Sequence, residues 1–184
     1  MKGGRGIEIR KTCRYDRPFK EIFLNDSNKD LLMLLLNTCL PYQVKDLKYL
    51  NTELTHGNIK TKGKILDLLL ETNVGKINLE LNSIIQTHTH ARNMAYLCNI
   101  YANYILVGED YTEETNIIQL NLTYGIKNDD EVYQVYKMIN KSNRSYVSNF
   151  IIYEFNMDKI MEFWYSKDKE NIEKYNVKEG SEVK

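Results

Sequence analysis

Hydrophobic and polar positions along the chain switch between two periods, and the switches mark out its elements. In YDRPFKEIFLN, Phe19, Ile22 and Phe23 fall on one face at helical spacing; Asp16 is placed to cap the start and Pro18 is tolerated in the first turn. A second helix is predicted over the leucine run Leu31 to Leu36, with Ser27 and Asp30 at capping-box spacing before it and Pro41 marking its end. KDLKYLNTEL has strand character. GKILDLLLETNVGKINLELN then reads as two strands, Lys64 to Glu71 and Lys76 to Asn82, joined by TNVG as a hairpin turn. From Ser83 to about Val107, Ala91, Met94, Ala95, Cys98, Tyr101, Ala102 and Ile105 repeat at helical spacing and predict a long amphipathic helix ended by Gly108. NIIQLNLTYG and YVSNFIIYEFN read as strands, separated by a charged helical segment around DDEVYQVYKMINK. Beyond Lys167 the chain is charged and poor in aliphatics, which predicts a solvated helix or a disordered tail.

The order of helix, three strands, helix, strand, helix, strand predicts an α/β (α+β) domain around one mixed sheet flanked by helices. At 184 residues and 42% hydrophobic, the chain can bury one substantial core. The expected organisation is a basic leader over 1–14, a single domain over 15–166 and a charged tail over 167–184. There is no internal repeat and no glycine-rich phosphate loop.

Charge and cysteine usage narrow the setting. Net charge is +0, so no overall positive field announces a nucleic-acid partner, yet Lys2, Arg5, Arg10, Lys11, Arg14, Arg17 and Lys20 face only Glu8 and Asp16 at the start of the chain. That segment is either a solvated, partly disordered terminus or an arm whose Arg10, Lys11 and Arg14 contact a phosphate backbone. Cys13, Cys39 and Cys98 are scattered without CxxC spacing, which indicates neither a disulfide framework nor a zinc site and fits a reducing cytoplasm. The N-terminus lacks the apolar region of a signal peptide and LLMLLLNTCL is too short to span a bilayer, so no membrane association is expected.

The hairpin carries the candidate chemistry. If Thr72 faces Gly75 across the turn, the same register sets Asp67 directly against Glu80 on one face. Asn82 shares that face, while Leu79 and Leu81 point the other way with Leu66 and Leu68. Like charges paired across strands repel unless a cation or base lies between them. A hard divalent ion is the natural partner: Mg²⁺ takes one or two carboxylates, keeps waters and leaves room for phosphate oxygens, which suits Asp67, Glu80 and the Leu81 carbonyl. The competing reading leaves both acids in solvent at a sheet edge. On the next helix His88, Arg92 and Tyr96 form a stripe spaced by four, from which Arg92 either clamps a phosphate or pairs with a surface acid. His88 and His90 are candidate bases or ligands by residue type, but HTH on a helix puts them on different faces, which argues against a direct catalytic or ligand role for either.

In their order and spacing, YDRPFKEIF with its leucine-rich helix ending LLN, GKILDLLLE, INLELN, the R-x-x-x-Y of ARNMAY, VGEDY before NIIQLNL, and FIIYEFN resemble the recombination-promoting nuclease/transposase (Rpn) family. This family is a branch of the PD-(D/E)xK nuclease superfamily. The resemblance implies a restriction-endonuclease-like core of order αβββαβ, Mg²⁺ or Mn²⁺ as cofactor, and endonucleolytic cleavage of DNA in the setting of mobile elements, recombination or phage defence. It matches Asp67 to the superfamily's metal-binding aspartate, Glu80 to its glutamate and Asn82 to its third position. It also matches Asp16 and Lys20 to an opening D-x-x-F-K element, and Arg92 and Tyr96 to R-x-x-x-Y. Two departures stand out. The third position is often Lys in the superfamily and usually Gln in this family, whereas the amide of Asn82 carries no positive charge and has a shorter arm. Family members also commonly continue with a long helical C-terminal region.

Three readings follow. The first is a Mg²⁺-dependent DNA endonuclease in which Asp67 and Glu80 hold the metal, Asn82 orients water or phosphate, and Arg92 and the leader contact the backbone. The second is a shortened or degenerate nuclease fold that binds DNA, a second copy of itself or a full-length relative without cutting. The third is a partner-binding protein with a purely structural sheet, supported only by the charged tail and 14 tyrosines.

Overall fold

The structure, a computed structural model, describes residues 14–51, 53–54, 64–104, 116–127 and 130–166. Helix α1 (Asp16–Phe23) leads through a 3-10 turn at Asp26–Asn28 into α2 (Lys29–Cys39). The strands β1 (Leu47–Tyr49), β2 (Glu53–Leu54), β3 (Lys64–Ile65), β4 (Leu68–Thr72) and β5 (Gly75–Asn82) follow. Helix α3 (Thr89–Tyr104) connects β5 to β6 (Ile117–Thr123), after which come β7 (Tyr133–Lys137), β8 (Phe150–Asn156) and α4, residues 157–166. A six-stranded sheet has the order β1-β4-β5-β6-β8-β7, and β2 pairs with β3 apart from it. Strands β5, β6 and β8 run parallel, while β1, β4 and β7 are antiparallel to their neighbours. This mixed sheet with flanking helices is the α+β core that the order of elements predicts. No helix among the described residues is long and apolar enough to cross a membrane.

The hairpin forms in the expected register, with Leu68 opposite Leu79 and Thr72 opposite Gly75. Gly75 closes the turn at φ 128°, and a Cβ there would lie 2.3 Å from the Asn116 carbonyl oxygen, so a side chain cannot be accommodated. The first predicted strand is interrupted: β3 ends at Ile65 and β4 starts at Leu68. The break turns Leu66 away from Leu68 and into the opposite core cluster, where Leu69 joins it. That corrects the placement of Leu66 beside Leu68, since strict alternation holds only within an unbroken strand.

Two layers cover the sheet. Phe19 of α1 and Leu32 and Leu36 of α2 pack on Leu68, Leu70, Ile77, Leu79, Ile118, Leu120, Ile151 and Tyr153. On the other face Leu97 and Ile100 of α3 meet Leu66, Leu69, Ile117 and Phe150. The inward face of α3 is Thr89, Asn93, Leu97 and Ile100, whereas Met94 and Cys98 of the predicted apolar stripe are exposed. The helix is where periodicity puts it, but its seam is rotated because the sheet beneath its N-terminal half is polar.

The segment YQVYK, expected as part of a charged helix, is the edge strand β7, paired to β8 from Tyr133 opposite Phe155 to Lys137 opposite Ile151. Its aromatic and β-branched residues suit a pleated surface, and the ladder offered by β8 outweighs the helical charge pattern around it. Capping also differs. The residue before α1 is Tyr15 and no side chain caps that end, so Asp16 does not act as a cap. Asn25, not Ser27, supplies the side-chain oxygen at the 3-10 turn, accepting from the Ser27 N–H at 3.0 Å. Arg10, Lys11, VGEDY and the tail from 167 lie outside the described residues.

Candidate active site

Asp67 sits in the break before β4 and Glu80 in the middle of β5, so the hairpin brings two carboxylates together at the edge of the α3-facing layer. The Asp67 N–H donates to Glu80 Oε1 at 3.2 Å, and the Leu81 N–H donates to Asp67 Oδ2 at 2.9 Å. Helix α1 adds a cation: Lys20 Nζ lies 3.0 Å from Asp67 Oδ1 and 2.9 Å from Asp16 Oδ1. Spacing of four along α1 lets Asp16 steady that ammonium.

Burial sets the electrostatics. Glu80 is 4% exposed, and loss of hydration together with the charge of Asp67 pushes its pKa up to about 8. Asp67 is also raised, because burial outweighs the Leu81 N–H and Lys20. Burial works against the charge on Lys20, but its hydrogen bonds to Asp16 and Asp67 prevail and hold its pKa above the ordinary value. The pair therefore carries less negative charge than two free carboxylates, and a divalent cation between them would restore both to the ionised form. Among the described residues no group of three or more His, Cys, Asp or Glu gathers to hold an ion. An ion here would be held by Asp67, Glu80, the Leu81 carbonyl and water, a hard-oxygen set of the kind Mg²⁺ accepts.

The next residues of the site come from α3. Arg92 Nη2 donates to Asn82 Oδ1 at 2.7 Å, and its guanidinium lies 6.0 Å from the centre of the Tyr96 ring. The Tyr96 hydroxyl is raised in pKa by burial first and by the charge of Glu80 second, which places that ring near the acids. Asn82 is 2% exposed and its amide is fully engaged, the Nδ2 donating to Thr123 Oγ1 at 2.9 Å. Arg14 packs beside the end of β5: its Nε donates to the Ser83 carbonyl at 3.1 Å and its guanidinium lies 4.7 Å from the Tyr124 ring. Asp16, Lys20, Asp67, Glu80, Asn82, Arg92 and Tyr96 thus belong to one neighbourhood, with Arg14 at its margin. His88 is exposed.

The structure adds residues that reading the sequence passed over. Thr123 Oγ1 donates to Glu154 Oε1 at 3.0 Å, and Glu154 Oε2 lies 3.1 Å from His90 Nε2. A continuous chain of contacts therefore runs from Arg92 through Asn82, Thr123 and Glu154 to His90, crossing β5, β6 and β8. A second ladder links Asn78, Gln119 and Asn121 at 2.8 and 2.7 Å. The acid inside FIIYEFN carries the same signal as Asp67 and Glu80, a charge in an apolar strand, and points to Glu154 directly.

Comparison with curated proteins and with solved structures gives no match. The sequence model of the PD-(D/E)XK nuclease family transposases matches residues 13–178, a span that contains α1, the hairpin acids, α3 and β8. Carrying that match over most of its length, the chain belongs to the PD-(D/E)XK nuclease family transposases.

Proposed function

We propose that the protein is a Mg²⁺- or Mn²⁺-dependent DNA endonuclease that hydrolyses phosphodiester bonds at the Asp67–Glu80 pair. The observation that carries this reading is the pair itself: the buried Glu80 and the partly buried Asp67, brought together by the Asp67 N–H donating to Glu80 Oε1, with Lys20 on Asp67 Oδ1. Asp67, Glu80 and the Leu81 carbonyl would hold the ion. When bound, it would supply positive charge for the phosphate and lower the pKa of a water molecule. Lys20, kept protonated by Asp16 and Asp67, acts as a fixed positive charge toward the phosphate and not as a base. It restores from α1 the charge that Asn82 lacks. Arg92, held at Nη2 by Asn82, backed by Tyr96 and with its Nε buried in the protein, directs Nη1 to the backbone. Asn82 acts through Arg92 as a positioning residue, since both ends of its amide are occupied within the protein.

The test is incubation with supercoiled plasmid and Mg²⁺ or Mn²⁺ beside Asp67→Ala and Glu80→Ala. Nicking or linearisation by the wild type, lost by at least about a hundredfold in both variants, is expected. Equal activity in all three, or none in any, would overturn the reading. A second reading, DNA binding without cleavage, draws on the ion pair of Lys20 with Asp67, which neutralises the acid without a metal. It predicts retardation of DNA at low salt with no cut in any divalent ion.

A further inference from the structure

Beside the relay of contacts that runs from Arg92 to His90, between α3 and strands β6, β8 and β7, lies a cavity of about 260 Å³ that neither Asp67 nor Glu80 lines. Its buried end is formed by Asn93, Asn121 and Glu154, which are 2%, 2% and 5% exposed. Ile152 and Met94 supply apolar wall, and the Tyr136 ring stands at the exposed side. Asn93 is the anomaly. Neither its Oδ1 nor its Nδ2 has a hydrogen-bond partner, although the residue occupies the inward seam of α3 where Leu97 and Ile100 are apolar. Leaving both ends of a buried amide unpaired is costly, and an apolar residue of the same shape would serve the packing better. A ligand that accepts from and donates to one amide at once removes the cost.

The lining selects that ligand's chemistry. No Lys or Arg lines the cavity, and its one basic side chain, His90, is already paired with the Glu154 carboxylate at 3.1 Å, so a phosphate is disfavoured. The remaining features are a planar donor–acceptor pair, apolar walls and an aromatic ring. These are the elements that read a nucleobase, and a bidentate Asn is the usual partner of adenine. Position agrees. Glu80 is in register with Asn121 on β6, and Asn121 with Glu154 on β8, all on one face. Two strand spacings put Glu154, at the cavity's buried end, about 10 Å from Glu80, a distance of roughly three stacked base steps.

We propose that this cavity takes one unpaired base, adenine foremost, of the DNA strand held at Asp67 and Glu80. The proposal rests on the DNA reading above and adds to it a readout of a base near the cut. A paired base would have to leave the stack to enter, so unpaired or mismatched sites are favoured over intact duplex.

The experiment uses the full chain in EDTA, where no cleavage occurs, and fluorescence polarisation with short labelled duplexes. One carries a single unpaired adenine, one an abasic site in its place and one is fully paired. The unpaired adenine is expected to bind about tenfold more tightly than the abasic site. Asn93→Leu and the exposed-site variant Tyr136→Ala are expected to erase that difference. Asn93→Leu should also melt at or above the wild-type temperature, because it removes two unpaired buried polar atoms. Stability gained together with base preference lost is a combination that a merely structural Asn93 would not give. Equal wild-type affinity for adenine and abasic duplexes, or a preference that survives Asn93→Leu, would overturn the proposal. No rise in polarisation with any duplex would overturn it together with the DNA reading. Absence of plasmid cleavage with the preference intact would count against the nuclease reading alone.

Discussion

Along β6 the two faces of the sheet can be compared residue by residue. Ile118, Leu120 and Leu122 sink into the layer of α1 and α2, while Gln119, Asn121 and Thr123, buried just as deeply, face α3. Each apolar side chain on the first face contributes about 1.5–3 kcal/mol by leaving water. Each hydrogen-bonded polar group on the second contributes a net ~0.5–1.5 kcal/mol, and each unpaired one subtracts. The first face, whose apolar cluster is the larger of the two, therefore contributes more to holding the fold together. The second is where the acids, Arg92 and the relay are found, and where stability is given up for fixed polar geometry.

The sharpest test of that division is a truncation on the apolar face. Leu79 is fully buried and adjoins Glu80 in sequence, yet points to the opposite layer. Leu79→Ala is expected to cost about 2–5 kcal/mol in chemical denaturation. A loss below about 1 kcal/mol would mean that the α1/α2 layer is not the main source of stability.

The same comparison explains what could be read from the sequence. The hairpin was legible because strand alternation, TNVG and Gly75 all agree, and cross-strand register follows from the turn alone. The polar face beyond it was not. NIIQLNLT alternates as a strand with one solvated side does, and only the parallel partners β5 and β8, distant in sequence, make Gln119, Asn121 and Thr123 interior. The seam of α3 is hidden for the same reason, since Thr89 and Asn93 look like surface residues until the polar sheet they cover is known. YQVYK shows the converse: local charge favoured a helix, and long-range pairing with β8 decided otherwise. The D-x-x-F-K resemblance singles out Lys20, but that its ammonium reaches Asp67 depends on how α1 packs, which no local pattern contains.

A second prediction uses pH to separate the faces. Glu80 is raised from its ordinary value of 4.5 to about 8, so the folded state binds its proton more tightly than the unfolded state does. The stability contributed by that proton is present at low pH and lost as pH rises from about 4.5 toward 8. Without metal, the wild type is expected to lose on the order of a few kcal/mol across this window through Glu80. Glu80→Gln, which cannot ionise, should show a correspondingly flatter melting profile in EDTA. Mg²⁺ should restore the wild type at the alkaline end and leave the variant unchanged. Parallel profiles for the two proteins would show that Glu80 titrates as a solvated acid.

The smallest expected effect tests whether the polar face works as a connected unit. Thr123 accepts from Asn82 and donates to Glu154, so Thr123→Val keeps the shape while orphaning one atom on each side. A cost of about 1–3 kcal/mol is expected, in contrast to the near-neutral result for a solvated threonine. The functional consequence is directional. With its Nδ2 released, Asn82 no longer fixes the amide oxygen that holds Arg92, and DNA affinity at low salt should fall several-fold. Thr123→Ser, which retains the hydroxyl, should recover both stability and affinity. Recovery of stability without affinity would mean that Arg92 is positioned by Tyr96 alone, and that the contacts from Asn82 to Glu154 serve packing and not the site.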